Sequence, residues 1–83
     1  MKDKDTRLME RLTEIRVADI WSDAFGRRIK DYNADFISIG GTSLLAAHIA
    51  AEISSQSGKK ISLVDVIVSS SIRQLVHRIN GEG

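Results

Sequence analysis

The chain has 83 residues, 42% hydrophobic and 28% charged, with twelve basic against eleven acidic side chains and a formal net charge of +1. That fits one small soluble domain with a modest core, and the charge is too balanced for nucleic acid, which needs a concentrated basic face. The absence of cysteine excludes disulfides and thiolate metal sites; no apolar run is long enough for a bilayer, and Met1-Lys2-Asp3-Lys4-Asp5 does not open a signal peptide. A cytoplasmic location is the default expectation.

A first helix is expected from near Thr6 to Ala24, stopped by Gly26. At about 100° per residue, Thr13, Val17, Ile20, Trp21 and Ala24 share one face and form a core stripe. Leu8, Leu12 and Ile15 fall on nearly the opposite side, and one straight helix in a small domain cannot bury both. Either the chain breaks near Thr13, which could cap a second helix, or the Leu8, Leu12 and Ile15 face meets a partner. The sequence leaves both open.

Gly26 to Thr42 is a long connection without a sustained period, carrying Ile29, Tyr32, Phe36, Ile37 and Ile39. Its apolar residues argue against disorder and for a loop anchored on the helices. Arg27, Arg28 and Lys30 form a small basic cluster, more simply a solvated face than a device for attracting an anionic partner.

A second helix is expected over about Ser43 to Ser57, ended by Gly58. Ala46, Ile49, Ala50 and Ile53 keep helical spacing and face the core, whereas Leu44, His48 and Ala51 point away. Ser62 can cap a short third helix over Leu63 to Val68. Ser71 and Gln74 match a capping box that opens a last helix with Ile72, Leu75, Val76 and Ile79 inward, ended at Asn80-Gly81. The expected fold class is all-α: a small four-helix bundle of three longer helices and one short one, with a long loop between helices 1 and 2. No repeat, low-complexity tract or interdomain linker is seen. One domain is expected over residues 1–83, with its core at about 13–80 and a partly helical N-terminal extension over 1–12.

The stretch Asp35-Phe36-Ile37-Ser38-Ile39-Gly40-Gly41-Thr42-Ser43-Leu44-Leu45 organises the rest. An apolar loop passes through two glycines and delivers a serine to the first turn of a helix. The glycines open backbone angles closed to other residues and leave Ser43 uncrowded. A phosphate on that hydroxyl would meet unpaired N–H groups and the positive end of the helix dipole.

Phe36-x-x-Ile39-Gly40-Gly41-Thr42-Ser43-Leu44 closely resembles the phosphopantetheine attachment motif of carrier proteins. The paired glycines are similar to the peptidyl carrier (thiolation) branch of non-ribosomal peptide synthesis, and the likeness runs ungapped from about Thr13 to Ile79. The resemblance implies an acyl-carrier-protein-like fold and 4'-phosphopantetheine, taken from coenzyme A and esterified to Ser43. It also implies a phosphopantetheinyl transferase, an adenylating enzyme, and condensing, modifying or releasing enzymes as partners. On this resemblance the chain carries an aminoacyl, peptidyl or other acyl thioester and is not an enzyme. Thr42, Leu44, Leu45, Ala47, His48, Ile37 and Val64 are then the expected docking residues, and a monomer is expected.

The near-neutral charge counts against the strongly acidic fatty-acid carriers. Thr42 departs from the family pattern, in which histidine or aspartate is commoner. So do Ile37, which replaces an aromatic, Ala34, which replaces an acid, and Ser62 and Ser70, at places where proline is frequent. Two other readings stay open: a polyketide-type acyl carrier, and an unmodified helical interaction domain using Leu8, Leu12 and Ile15. Starting at Met1 favours a free-standing protein over an excised domain.

Other chemistries fit poorly. The glycine and lysine spacing of a nucleotide phosphate loop is missing. Ser43 has no nucleophile elbow around it, and His48 and His77, the sole histidines, fall on different helices.

Overall fold

The computed structural model describes residues 13–81. Among them are four helices and no strand: α1 (Glu14–Phe25), α2 (Ser43–Ser57), α3 (Leu63–Ser69) and α4 (Ile72–Ile79).

The expected start near Thr6 lies outside the described residues, within which α1 begins at Glu14 behind a Thr13 cap. Thr13 has extended backbone angles, and its side chain accepts the Arg16 N–H at 3.1 Å. A residue in that conformation cannot be helix interior, so the break at Thr13 is the alternative found. Val17, Ile20 and Trp21 are buried as expected, Ala24 is half-buried, and Thr13 is an exposed cap rather than part of the core stripe. Ile15 is exposed; Leu8 and Leu12 lie outside the described residues.

α1 and α2 both stop at a left-handed glycine, Gly26 and Gly58. On α2 the expected face is the buried one: Ala46, Ile49, Ala50 and Ile53. Fifteen residues with apolar positions at helical spacing form a continuous stripe, and it packs on α1 and α3.

α3 is seven residues long and α4 eight, so each depends on its ends and on packing rather than on propensity. The reciprocal capping box belongs to α3: Ser62 accepts the Asp65 N–H at 3.3 Å, and the Asp65 carboxylate accepts the Ser62 N–H at 2.9 Å. At α4 only half of the expected box forms. Ser71 accepts the Gln74 N–H at 3.2 Å, but Ser71's own N–H donates to Ser69 O at 2.8 Å. With that donor already taken, Gln74 has nothing to reach back for. Ile72, Leu75 and Ile79 of α4 are buried.

The long loop is stitched down at three points. The Ile29 N–H donates to the buried Ser22 Oγ at 2.9 Å, the Arg73 N–H to Tyr32 O at 3.0 Å, and the Phe36 N–H to Ser70 O. Ile29 and Phe36 are buried, and Tyr32 and Ile39 pack against the core. These anchors let the connection stay ordered without secondary structure of its own.

Candidate functional site

α2 starts at Ser43, and the capping of its first turn falls to Thr42. The Thr42 backbone is extended, its hydroxyl accepts the Leu45 N–H at 3.2 Å, and its carbonyl accepts the Ala46 N–H at 2.9 Å. The exposed Ser43 hydroxyl is thereby spared local duty: among the described residues it has no hydrogen-bond partner. The first turn of α2 carries no acidic residue, so nothing there offsets the positive end of the helix dipole or would repel a phosphate.

Each glycine before the serine has its own reason. Gly40 has φ +101, a conformation that costs any side-chain-bearing residue strain. Gly41 lies against the ring of Phe36, where an added Cβ would come within 2.6 Å of Cζ. Phe36 is fully buried and meets Trp21 edge-on at 5.2 Å between centroids and Phe25 at 5.6 Å. The motif phenylalanine is therefore a core residue that also serves as the floor of the glycine turn.

Backbone hydrogen bonds close that turn. The Gly41 N–H donates to Phe36 O at 2.8 Å, the Gly40 N–H to Ile37 O at 3.0 Å, and the Ile39 N–H to Asp35 O at 3.1 Å. The Asp35 carboxylate accepts from the Ser38 N–H at 3.0 Å and the Ser38 hydroxyl at 3.1 Å. Arg27 reaches across from the end of α1 and donates to Ile39 O at 2.7 Å. Its neighbour Arg28 pairs instead with Asp19 at 3.0 Å. The basic cluster is thus divided between the loop and α1.

The expected docking residues differ in accessibility. Leu44 is 80% exposed, Ile37 and Val64 are each 57% exposed, and His48 and Thr42 are also on the surface. Ala47 is half-buried, and Leu45 packs partly against the core. Val68, as exposed as Val64, escapes the sequence reading because a seven-residue helix shows too little periodicity to assign its faces. Arg27 escapes it because its contact with Ile39 depends on the path of the loop.

The arrangement suits attachment rather than catalysis. No side-chain base is hydrogen-bonded to Ser43 among the described residues, whereas an activated serine needs one. Nor do the described residues contain a group of three or more His, Cys, Asp or Glu that could hold a metal. No helix of the described residues is long and apolar enough to cross a membrane.

Comparison with known proteins agrees with this geometry. The family described as "Phosphopantetheine attachment site" matches residues 16–79. Enterobactin synthase component F of Shigella flexneri is 34% identical over 70 residues, covering 84% of this chain. Indigoidine synthase of Streptomyces lavendulae is 31% identical over 70 residues, and a hybrid PKS-NRPS synthetase of Dothistroma septosporum is 32% identical over 71. The chain spans only 6%, 6% and 2% of those three proteins. BlmI, a type-II acyl carrier protein from Streptomyces verticillus involved in bleomycin biosynthesis, shares the fold. Its TM-score is 0.78 at 18% identity, over 98% of this chain and 93% of that one.

Proposed function

The chain belongs to the phosphopantetheine attachment-site family, and on that premise we propose that it is a peptidyl carrier (thiolation) domain of non-ribosomal peptide synthesis, modified on Ser43. It is a carrier and not itself a catalyst, and its cofactor is covalently attached 4'-phosphopantetheine. When bound, that arm supplies a terminal thiol on which an aminoacyl, peptidyl or other acyl group rides as a thioester.

The observation that carries the assignment of Ser43 is its exposed, unpartnered hydroxyl at the start of α2, with Thr42 taking over the cap. Gly40 and Gly41 keep side chains away from the approach, and the uncompensated helix terminus favours the phosphodiester. The rest of the domain presents the arm and docks partners. Those partners are a phosphopantetheinyl transferase, an adenylating enzyme that loads the thiol, and condensing, modifying or releasing enzymes. Residues 13–80 serve as the core of one monomeric carrier domain in the cytoplasm.

The peptidyl branch is supported by the paired glycines, the near-neutral charge and the likeness to enterobactin and indigoidine synthases. A polyketide-type acyl carrier is the second reading, favoured by the likeness to hybrid PKS-NRPS synthetases.

Incubation with coenzyme A and a promiscuous transferase, followed by intact-mass measurement, tests the first claim. The wild-type chain should gain one arm and Ser43→Ala none, with an unchanged melting curve. An arm on the alanine variant would sink the assignment, and an unmodified wild type would leave an interaction domain. Loading the modified chain with a panel of adenylating enzymes and amino acids, against an acyltransferase with malonyl groups, separates the two carrier branches.

A further inference from the structure

We infer that Arg27 is a positioning residue for the attachment reaction, clamping the backbone that leads into Ser43. This inference rests on the carrier reading above. The backbone of Arg27 is fixed at the end of α1, where the Gly26 and Arg27 N–H groups both donate to Ser22 O, at 2.9 and 3.1 Å. From that fixed base the guanidinium lies 5.7 Å from the Phe25 ring centroid and donates to Ile39 O at 2.7 Å. Phe25 in turn packs edge-on against Phe36, on whose ring Gly41 rests. Arg27 thus holds the turn from one end through Ile39, and Phe36 supports it from below.

The choice of Ile39 as acceptor matters. The turn's other backbone hydrogen bonds join the carbonyls of Asp35, Phe36 and Ile37 to the N–H groups of Ile39, Gly40 and Gly41, and the Asp35 carboxylate accepts from Ser38. The Ile39 carbonyl stands just before the left-handed Gly40, the turn residue whose backbone is least restricted by its own side chain. A charge-assisted hydrogen bond from a planar donor that also lies over an aromatic ring restrains the backbone there. Among the described residues Arg27 forms no ion pair, unlike Arg28, which is held by Asp19. Positioning predicts a change in the rate of transfer and not in the affinity for coenzyme A, because the clamp acts on where Ser43 sits.

The test compares Arg27→Met, Arg27→Lys and the control Arg28→Met in steady-state arm transfer from coenzyme A. Amide exchange at Gly40 and Gly41 is read on the same proteins. Arg27→Met is expected to lower kcat about tenfold, roughly the loss of one charge-assisted hydrogen bond, with KM for coenzyme A unchanged and faster exchange at both glycines. Arg27→Lys, which keeps a cationic donor, should fall between it and wild type, and Arg28→Met should match wild type. Should Arg27→Met fail to fold, the same comparison is read on Arg27→Lys. Wild-type kcat overturns the inference whether or not exchange quickens, since the contact would then be structural at most. So does a rise in KM for coenzyme A that accounts for the loss, since Arg27 would then act by attracting the anion. If wild-type protein takes no arm, the carrier reading falls and this inference with it; if only the Arg27 variants behave as wild type, this inference alone falls.

Discussion

An added methyl group discriminates the two glycines of the turn. At Gly40 nothing lies within 4 Å of a new Cβ, and the penalty is conformational, because φ is +101. At Gly41 the penalty is collision with Phe36, which cannot easily yield because Trp21 and Phe25 hold its ring. Gly40→Ala should cost about 1–2 kcal/mol of strain and Gly41→Ala about 1–3 kcal/mol of overpacking. Their magnitudes overlap, so the distinguishing measurement is the emission of Trp21, the chain's one tryptophan. Gly41→Ala should shift it in the folded state and Gly40→Ala should not; equal spectra would mean that the ring moves aside freely. Leu44 offers the opposite case, a large apolar side chain 80% exposed. Leu44→Asp should change stability by no more than about 0.5 kcal/mol, while slowing arm transfer or loading several-fold if Leu44 anchors a partner. Leu44→Ala, which adds no charge near the helix terminus, separates lost contact from repulsion. Normal transfer and loading by both variants would place docking elsewhere. The place of Ser43 at a helix start and the need for glycine before it were legible in the sequence, since they depend on local backbone chemistry. The partners of Gly41 and Arg27 were not, because Phe36 and Ile39 meet them only once the loop is folded.

At the scale of elements, legibility followed the length of the apolar pattern. α2 is fifteen residues long and could be read to its ends from Ala46, Ile49, Ala50, Ile53 and Gly58. α1 could not, because the opposed stripe of Leu8, Leu12 and Ile15 left open whether one helix runs on from Thr6 or a new one starts behind a Thr13 cap. The extended backbone of Thr13 decides for the cap. For α3 the sequence identified Ser62 as cap but not Asp65 as its reciprocal partner. That pairing gives α3 a pH dependence. The Ser62 N–H chiefly holds the Asp65 carboxyl below its ordinary value of 3.8; partial burial opposes this, and Arg78, at 3.2 Å, and the Ser62 hydroxyl assist. Since the folded value is the lower one, the ionised carboxylate stabilises the fold fully above pH 3.8. That contribution is lost as pH falls through the folded value. Asp65→Asn removes it at every pH. The melting temperature of the wild type should therefore exceed that of Asp65→Asn by a constant margin between about pH 7 and pH 5, and the margin should close below about pH 4. A margin that persists in acid would show that the box works through geometry alone.

Across the whole molecule, Phe36 couples the core to the attachment turn. Its ring packs with Trp21 and Phe25 of α1, its N–H donates to Ser70 O between α3 and α4, and its carbonyl takes the Gly41 N–H. Damage to this residue therefore reaches both stability and presentation of Ser43. Complete truncation to alanine would cost about 3–5 kcal/mol, a large share of the roughly 5–15 kcal/mol that holds a domain together, and would confuse the two effects. Phe36→Leu keeps a buried apolar side chain while removing the outer edge of the ring. It should cost about 1–2 kcal/mol, lowering the melting temperature by about 4–8 °C for each kcal/mol in a domain of this size. The decisive measurement is its combination with Gly41→Ala. Because a methyl group added at Gly41 collides with ring carbons, Cζ among them, a leucine in place of Phe36 should relieve part of the collision. The double variant should then be more stable than the sum of its parts, by about 0.5–3 kcal/mol, as expected for residues in direct contact. Arm transfer should recover in the same variant, since the turn regains its floor without the clash. Strict additivity in melting and in transfer would show that Gly41 does not depend on Phe36, and that core and attachment turn are held independently.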